Sequence, residues 1–419
     1  MFPKHWQIKP ANEICNAIVD CVNKTAPIVD YDTEFKMIRT TNVKNGRIIL
    51  DGMRCVEEDV FLKWNRRLTP KKGDIVLTRE APLGDVGLIR TNHKFFLGQR
   101  TMIYRANGIN LNQRFLYYSL LGGPIQGQLK ALGSGSTVEH IRVPDAEKIS
   151  IPFPPISEQK KIAAVLSAYD DLIENNKKRI QILENMAEEL YKEWFVRFRF
   201  PNYENTEFEK GVPRDWSYTT LESLGKIRTG KTPSTYNSEF YGGEYPFYKT
   251  PDMHDKVFVF ETAETLTEQG LNSQKSQIIE ANEIMVTCIG SGGVTAISTK
   301  KGCTNQQINS LSVANKKFLY WAYYSIKYLK PQIELYGATG ATMTNLSKGK
   351  FSNLEIIKPT DELIEKYFNL VSSKFEMIKK LSQMNQMLEE QKGSLLPRLI
   401  SGKLSVEDLD IHFPPSMQE

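Results

Sequence analysis

The chain has 419 residues, 40% hydrophobic and 25% charged, with a net charge of +5, the composition of an ordinary globular protein with room for two to four domains. Its five cysteines (Cys15, Cys21, Cys55, Cys288, Cys303) are odd in number and form no CxxC pair, which argues against a disulfide framework or a cysteine metal site and for buried free thiols in a reducing compartment. No stretch reaches the roughly 18 apolar residues of a membrane span and Met1–Trp6 has no signal-peptide core, so a cytoplasmic location is expected.

Residues 1–150 are predicted to be mixed strand and turn. Short apolar runs such as Ile75-Val76-Leu77 and Met102-Ile103-Tyr104 are punctuated by Asn45-Gly46, Asn107-Gly108 and Gly122-Gly123. This region is basic, with 22 Lys+Arg against 15 Asp+Glu, a net +7. It closes in the strand Ile149-Ser150-Ile151 and the exit Pro152-Phe153-Pro154-Pro155.

From Ser157 to about Arg197 there is no Gly or Pro, and apolar residues recur at 4-3 spacing: Ile162, Leu166, Tyr169, Ile173, Asn176, Ile180, Leu183, Ala187, Leu190, Trp194. This predicts one long helix of roughly 60 Å at about 1.5 Å per residue, with Ser157 as its N-cap. Residues 201–357 return to strands and turns (Gly242-Gly243, Gly292-Gly293), and residues 211–357 carry 15 basic against 13 acidic groups. A second helix starts at Asp361 with the seam Leu363, Tyr367, Leu370, Lys374, Met377, Leu381, Met384, Leu388, Gln391, Leu395; it is expected to weaken at Gly393 and break at Pro397. Asn176 and Lys374 are polar intrusions in the two seams.

The two halves repeat. Pro3-Lys4-His5-Trp6 returns as Pro213-Arg214-Asp215-Trp216, Arg39-Thr40-Thr41-Asn42 as Lys249-Thr250-Pro251-Asp252, and Phe115-Leu116-Tyr117-Tyr118 as Phe318-Leu319-Tyr320-Trp321. The fold class expected is therefore α/β (α+β): two duplicated domains, 1–150 and 201–357, joined by helical segments 151–200 and 358–419. If a pseudo-two-fold relates the halves, the helices form an antiparallel coiled coil with one domain at each end.

Little here suggests catalysis. Gly225-Lys226-Ile227-Arg228-Thr229-Gly230-Lys231-Thr232 matches GxxxxGK[ST], but Pro233 follows at once and no helical pattern begins, whereas a P-loop needs a helix N-terminus. The five histidines form neither HExxH nor a triad. An ATP-hydrolysing enzyme and a purely structural coiled-coil adaptor are the alternative readings. Polar residues suited to base edges and phosphates are easier to find: Arg39, Thr40, Asn42, Lys44, Gln99 and Arg100, with Lys249, Thr250, Asp252, Gln306 and Gln307 in the second half. The loops Gly133–Thr137 and Gly337–Thr342 add Ser134, Ser136, Thr339 and Thr342.

Ile151-Pro152-Phe153-Pro154-Pro155-Ile156-Ser157-Glu158-Gln159-Lys160-Lys161-Ile162-Ala163, continuing through Leu172-Ile173-Glu174-Asn175-Asn176 and Met186–Phe195, resembles the central conserved region of specificity subunits of type I restriction–modification systems. Leu395–Leu404 is similar to the distal conserved region, and Gly230–Ser234 through Tyr241-Gly242-Gly243 to the opening of the second target-recognition domain. The resemblance implies a non-catalytic subunit in which each recognition domain reads one half of a bipartite double-stranded DNA site and the helices set the gap. It implies two methyltransferase subunits docked on the helices, for which Ile162, Leu166, Ile173, Trp194 and Phe195 are candidate contacts, and two motor-nuclease subunits. S-adenosylmethionine, ATP and magnesium would be bound by those partners, and this chain would hold no cofactor or metal.

Overall fold

In the computed structural model, which describes residues 2–133, 139–338 and 344–417, the apolar run Ile75-Val76-Leu77 is buried on both faces. Alternate side chains of a strand point to opposite faces. Ile75 and Leu77 accordingly join one cluster with Met102, Tyr104, Phe115 and Leu116, and Val76 joins another with Ile38, Phe95 and Ile103. This strand, Ile75–Arg79, lies inside a six-stranded sheet in the order Cys15–Asp20, Thr101–Ala106, Ile75–Arg79, Leu83–Leu88, Gly46–Ile48, Val43–Lys44. A three-stranded sheet accompanies it, with Phe35–Ile38 antiparallel to Arg54–Cys55 and parallel to Lys94–Leu97. The pair Gln7–Pro10 and Ser150–Phe153 runs antiparallel. Helix Gln113–Leu121 covers one face; Asn112 caps it by accepting from the Arg114 and Phe115 N–H groups, both at 3.0 Å. The predicted turn Asn45-Gly46 is present, with φ of 50° and 77°. A Cβ on Gly46 would lie 2.3 Å from the Tyr117 hydroxyl oxygen, so glycine is needed here for space as well as conformation.

Residues 211–358 repeat the plan. Ser217–Thr220 pairs antiparallel with Glu355–Lys358. A five-stranded sheet runs Gly225–Thr229, Ile308–Val313, Ile284–Thr287, Thr295–Ser298, Phe258–Val259. A three-stranded sheet again has a middle strand, Tyr241–Tyr248, antiparallel to Thr265–Leu266 and parallel to Cys303–Thr304. The register repeats too: Lys36 faces Cys55, and Pro246 faces Thr265, 210 positions later on both strands. The duplication read in the sequence is thus a duplication of sheet topology.

The chain divides into two compact units, Met1–Glu174 with Met387–Glu419, and Asn175–Gln386. Both long helices, Ile156–Tyr191 and Asp361–Ile400, are shared between the units rather than forming domains of their own. The reason is burial: Ile162, Leu166, Leu399 and Ile400 complete the first core, while Ala187, Tyr191, Ile364 and Tyr367 complete the second. In the second unit Asn176 meets Asn385 at 2.9 Å and Ala187 O accepts from Tyr367 Oη at 3.0 Å, so the helices run antiparallel, as expected. In the first unit Lys392 Nζ reaches Asp170 Oδ1 at 2.6 Å.

Three helix expectations need correction. The first helix begins at Ile156, which puts Ser157 inside the first turn, and it ends in a wide π turn at Lys192–Val196. The second runs unbroken through Gly393 and Pro397 to Ile400. Its seam is also different. Leu370, Met377 and Met384 are 48%, 39% and 46% exposed, and the buried stripe is Leu363, Tyr367, Val371, Phe375, Ile378, Leu381, Asn385. Lys374 stands outside that stripe, its ammonium donating to Leu370 O at 2.7 Å; the polar residue of the second seam is Asn385.

Candidate nucleic-acid interface

Strand Phe35–Ile38 runs into a turn at Arg39–Asn42 that is held by the last residue of the turn. Asn42 Oδ1 accepts the Arg39 N–H at 3.1 Å and Asn42 Nδ2 donates to Ile49 O at 3.2 Å. The second unit builds the same turn: Asp252 Oδ2 accepts the Lys249 N–H at 2.9 Å and Oδ1 the Ala263 N–H at 3.0 Å. Both side chains are buried and their polar atoms satisfied within the fold. Asn42 and Asp252 were expected to face a ligand; they instead fix the backbone that carries Arg39 and Lys249.

The turn in the first unit borders a cleft of about 310 Å³ that brings together Arg39, Thr40, Gln99 and Arg100 with Lys24, Arg54 and Trp64. Gln99 and Arg100 reach it because the Gly98 N–H is tied to Ile38 O at 2.9 Å, and Arg100 turns back with φ 67°. Lys44 is exposed on the edge strand opposite Arg47, outside this cleft.

Four cations line the cleft, and among the described residues only Arg100 has a carboxylate partner, Glu80 at 3.2 Å. The Arg39 guanidinium donates through Nη2 to Gly52 O at 3.1 Å, and its Nε is buried without a partner. Burial, followed by the neighbouring Arg54 charge, holds the Arg39 pKa below its ordinary value.

The second unit places different chemistry at the same position. Lys249 pairs with Glu264, the residue 210 positions after Arg54 in the same strand register, and its ammonium lies 5.2 Å from the Phe247 ring centroid. Beside it Gln306 Oε1 accepts from Thr232 Oγ1 at 2.6 Å. Gln307 Oε1 accepts from Asn305 Nδ2 at 3.0 Å and from Thr250 Oγ1 at 3.4 Å. The result is a network of amides and hydroxyls around an internally neutralised ion pair.

Lys24, Arg54, Trp64, Thr232, Glu264 and Asn305 were missed as site residues. The 210-residue offset could have flagged Arg54 and Glu264 as a matched pair of unlike charge. Ser134, Ser136, Thr339 and Thr342 lie outside the described residues. The expected docking contacts need correction: Ile162, Leu166, Ile173, Trp194 and Phe195 are buried in the chain's own cores and present almost no surface to a partner. The apolar residues the helices do expose are Leu172, Ile182 and Met186 on the first and Leu370, Met377, Met384 and Met387 on the second.

The P-loop-like segment forms strand Gly225–Thr229 and then a turn, with no helix beginning at Lys231 or Thr232. Its N–H groups are therefore not gathered at a helix start as phosphate binding by this motif requires. No helix among the described residues is long and apolar enough to cross a membrane.

Comparison with known proteins agrees with this duplicated design. The family model described as type I restriction modification DNA specificity domain matches twice, over residues 3–185 and 213–386. The MjaIX type I restriction enzyme specificity subunit of Methanocaldococcus jannaschii is 28% identical, with 97% of this chain and 95% of the relative covered. The HindI specificity subunit of Haemophilus influenzae is 30% identical, covering 88% of this chain and 94% of the relative. The crystal structure of a type I restriction–modification S subunit from M. genitalium shares the fold, with a TM-score of 0.58 at 18% identity over 94% of this chain and 96% of that one. With two copies of the domain, each built around its own version of one turn, this chain belongs to the specificity subunits of type I restriction–modification systems.

Proposed function

We propose that this chain is the non-catalytic DNA-reading subunit of its complex, and that each unit reads one part of a bipartite duplex site. The observation that carries the reading is the shared turn geometry with unlike side chains: Thr40, Gln99 and Arg100 beside the first turn, and Thr250, Gln306 and Gln307 beside the second. A shared frame with exchanged donors and acceptors is what two domains reading different bases require. Arg and Lys match guanine edges, and Asn and Gln match adenine. Two methyltransferase subunits would dock on the paired helices and supply S-adenosylmethionine chemistry, and two motor-nuclease subunits would use ATP and magnesium. With the buried seam unavailable, docking falls to exposed helix residues such as Leu172, Ile182, Met377 and Met384. Mapping DNA methylation in a host with and without this chain tests the reading. A bipartite motif that is modified only when the chain is present supports it; an unchanged methylation map in a host holding the partner subunits contradicts it.

A further inference from the structure

The two turns occupy equivalent places in their units, but the charges beside them differ. We infer that Arg39 and Arg54, with Lys24, form a receptor for DNA phosphate that exists only in the first unit, its counterpart in the second having been neutralised internally by the Lys249–Glu264 pair. The inference rests on the DNA reading above and adds where the charge-driven part of binding resides.

Three observations support it. Arg39 and Arg54 are neighbours of like sign with no carboxylate partner among the described residues, an arrangement that an anion would stabilise. The Arg39 Nε is a buried donor left without an acceptor, although the same side chain already holds Gly52 O through Nη2. In the second unit the positions 210 residues later carry opposite charges that satisfy each other. The strand register is the same in both units, so one exchange, arginine against glutamate, distinguishes an open cation site from a closed ion pair. A phosphate contact does not depend on base identity. The pair therefore contributes affinity and salt dependence rather than a letter of the motif.

The test uses the full chain, alone and with its co-expressed methyltransferase subunit, titrated against a mixed-sequence duplex of about 30 base pairs over about 50 to 200 mM salt. Each neutralised phosphate adds about 0.9 to the slope of log K against log salt. R39Q/R54Q is expected to lower that slope by roughly two contacts' worth, or about 1.8, and R54Q, which alters an exposed strand residue, by about 0.9. K249Q/E264Q is expected to leave it unchanged. An unchanged slope in R39Q/R54Q, an equal fall in K249Q/E264Q, or a changed methylation motif in R39Q/R54Q at unchanged slope would overturn the inference while leaving DNA recognition standing. Failure of the wild-type chain to bind duplex DNA in either form would overturn both.

Discussion

Asn176 and Asn385 are 209 residues apart, both buried, and joined by a hydrogen bond of 2.9 Å from Nδ2 of the first to Oδ1 of the second. They form a buried polar layer between two antiparallel helices. A buried amide pair tolerates one register, because a slip would leave both amides facing aliphatic side chains.

Replacing one asparagine is therefore expected to cost more than replacing both. N176L strands the Asn385 amide and should destabilise by about 1–3 kcal/mol, while N176L/N385L should return to near or above wild type. Urea unfolding of the three proteins checks this; equal losses in the single and double variants would show that the pair does not act as a unit.

Asp170 is the charged counterpart in the first unit. Its carboxylate is buried and meets Tyr118 Oη at 2.7 Å, Arg90 Nη2 at 2.9 Å and Lys392 Nζ at 2.6 Å. Burial alone would raise its pKa, but Lys392 and Arg90 outweigh it and hold the carboxylate below its ordinary value. A lowered folded-state pKa contributes stability that is fully present above the unfolded value of about 3.9 and is lost as pH falls through the folded value. D170N leaves two cations without their acid and should cost about 3–5 kcal/mol at pH 7. Its stability should also fall less steeply than wild type below about pH 4; parallel profiles would contradict the assignment.

Asn42 and Asp252 hold turns, and their loss should appear as stability rather than specificity. N42A and D252A are each expected to cost about 0.5–2 kcal/mol, the usual range for a lost side-chain cap, with the methylated motif unchanged at lower yield. Q99A and Q306A, at exposed positions beside the two turns, should leave the melting temperature within a degree or two and alter the motif. A new motif in D252A would return that residue to the set facing DNA.

The duplication, the two helices and the Asn45-Gly46 turn were legible because each depends on local pattern: matched motifs, 4-3 spacing, a dipeptide suited to positive φ. The second seam was not. Leu370, Met377 and Met384 form an apolar stripe as regular as Val371, Phe375 and Ile378, and periodicity cannot choose between them. Tertiary contact does: Phe375 stacks on Tyr320 at 3.9 Å between ring centroids, and Tyr367 packs against Phe195. The candidate site was half legible. Arg39 and Gln99 stood out as polar residues in matched positions, whereas Arg54 and Glu264 enter only through the register of a neighbouring strand. Asn42 and Asp252 were misread because a polar side chain that caps its own turn and one that faces a base look alike in sequence.

Trp194 tests the correction to the docking surface. It is 7% exposed and packs on Phe195 and Tyr367 in the second core, so W194A should cost about 3–5 kcal/mol. W194F, which keeps the ring contacts, should assemble with the methyltransferase like wild type. A W194F chain that melts normally but fails to assemble would restore Trp194 as a partner contact.

The most direct measurement of independent reading by the two units is a methylation map after exchanging residues 1–150 for those of a relative of known motif. The expected result is a hybrid motif in which one half takes the relative's sequence and the other stays as in the parent, because the first cleft is built wholly from residues 24–100 and the polar network beside the second turn from residues 232–307. A viable exchange that changed the bases of both halves would contradict the account.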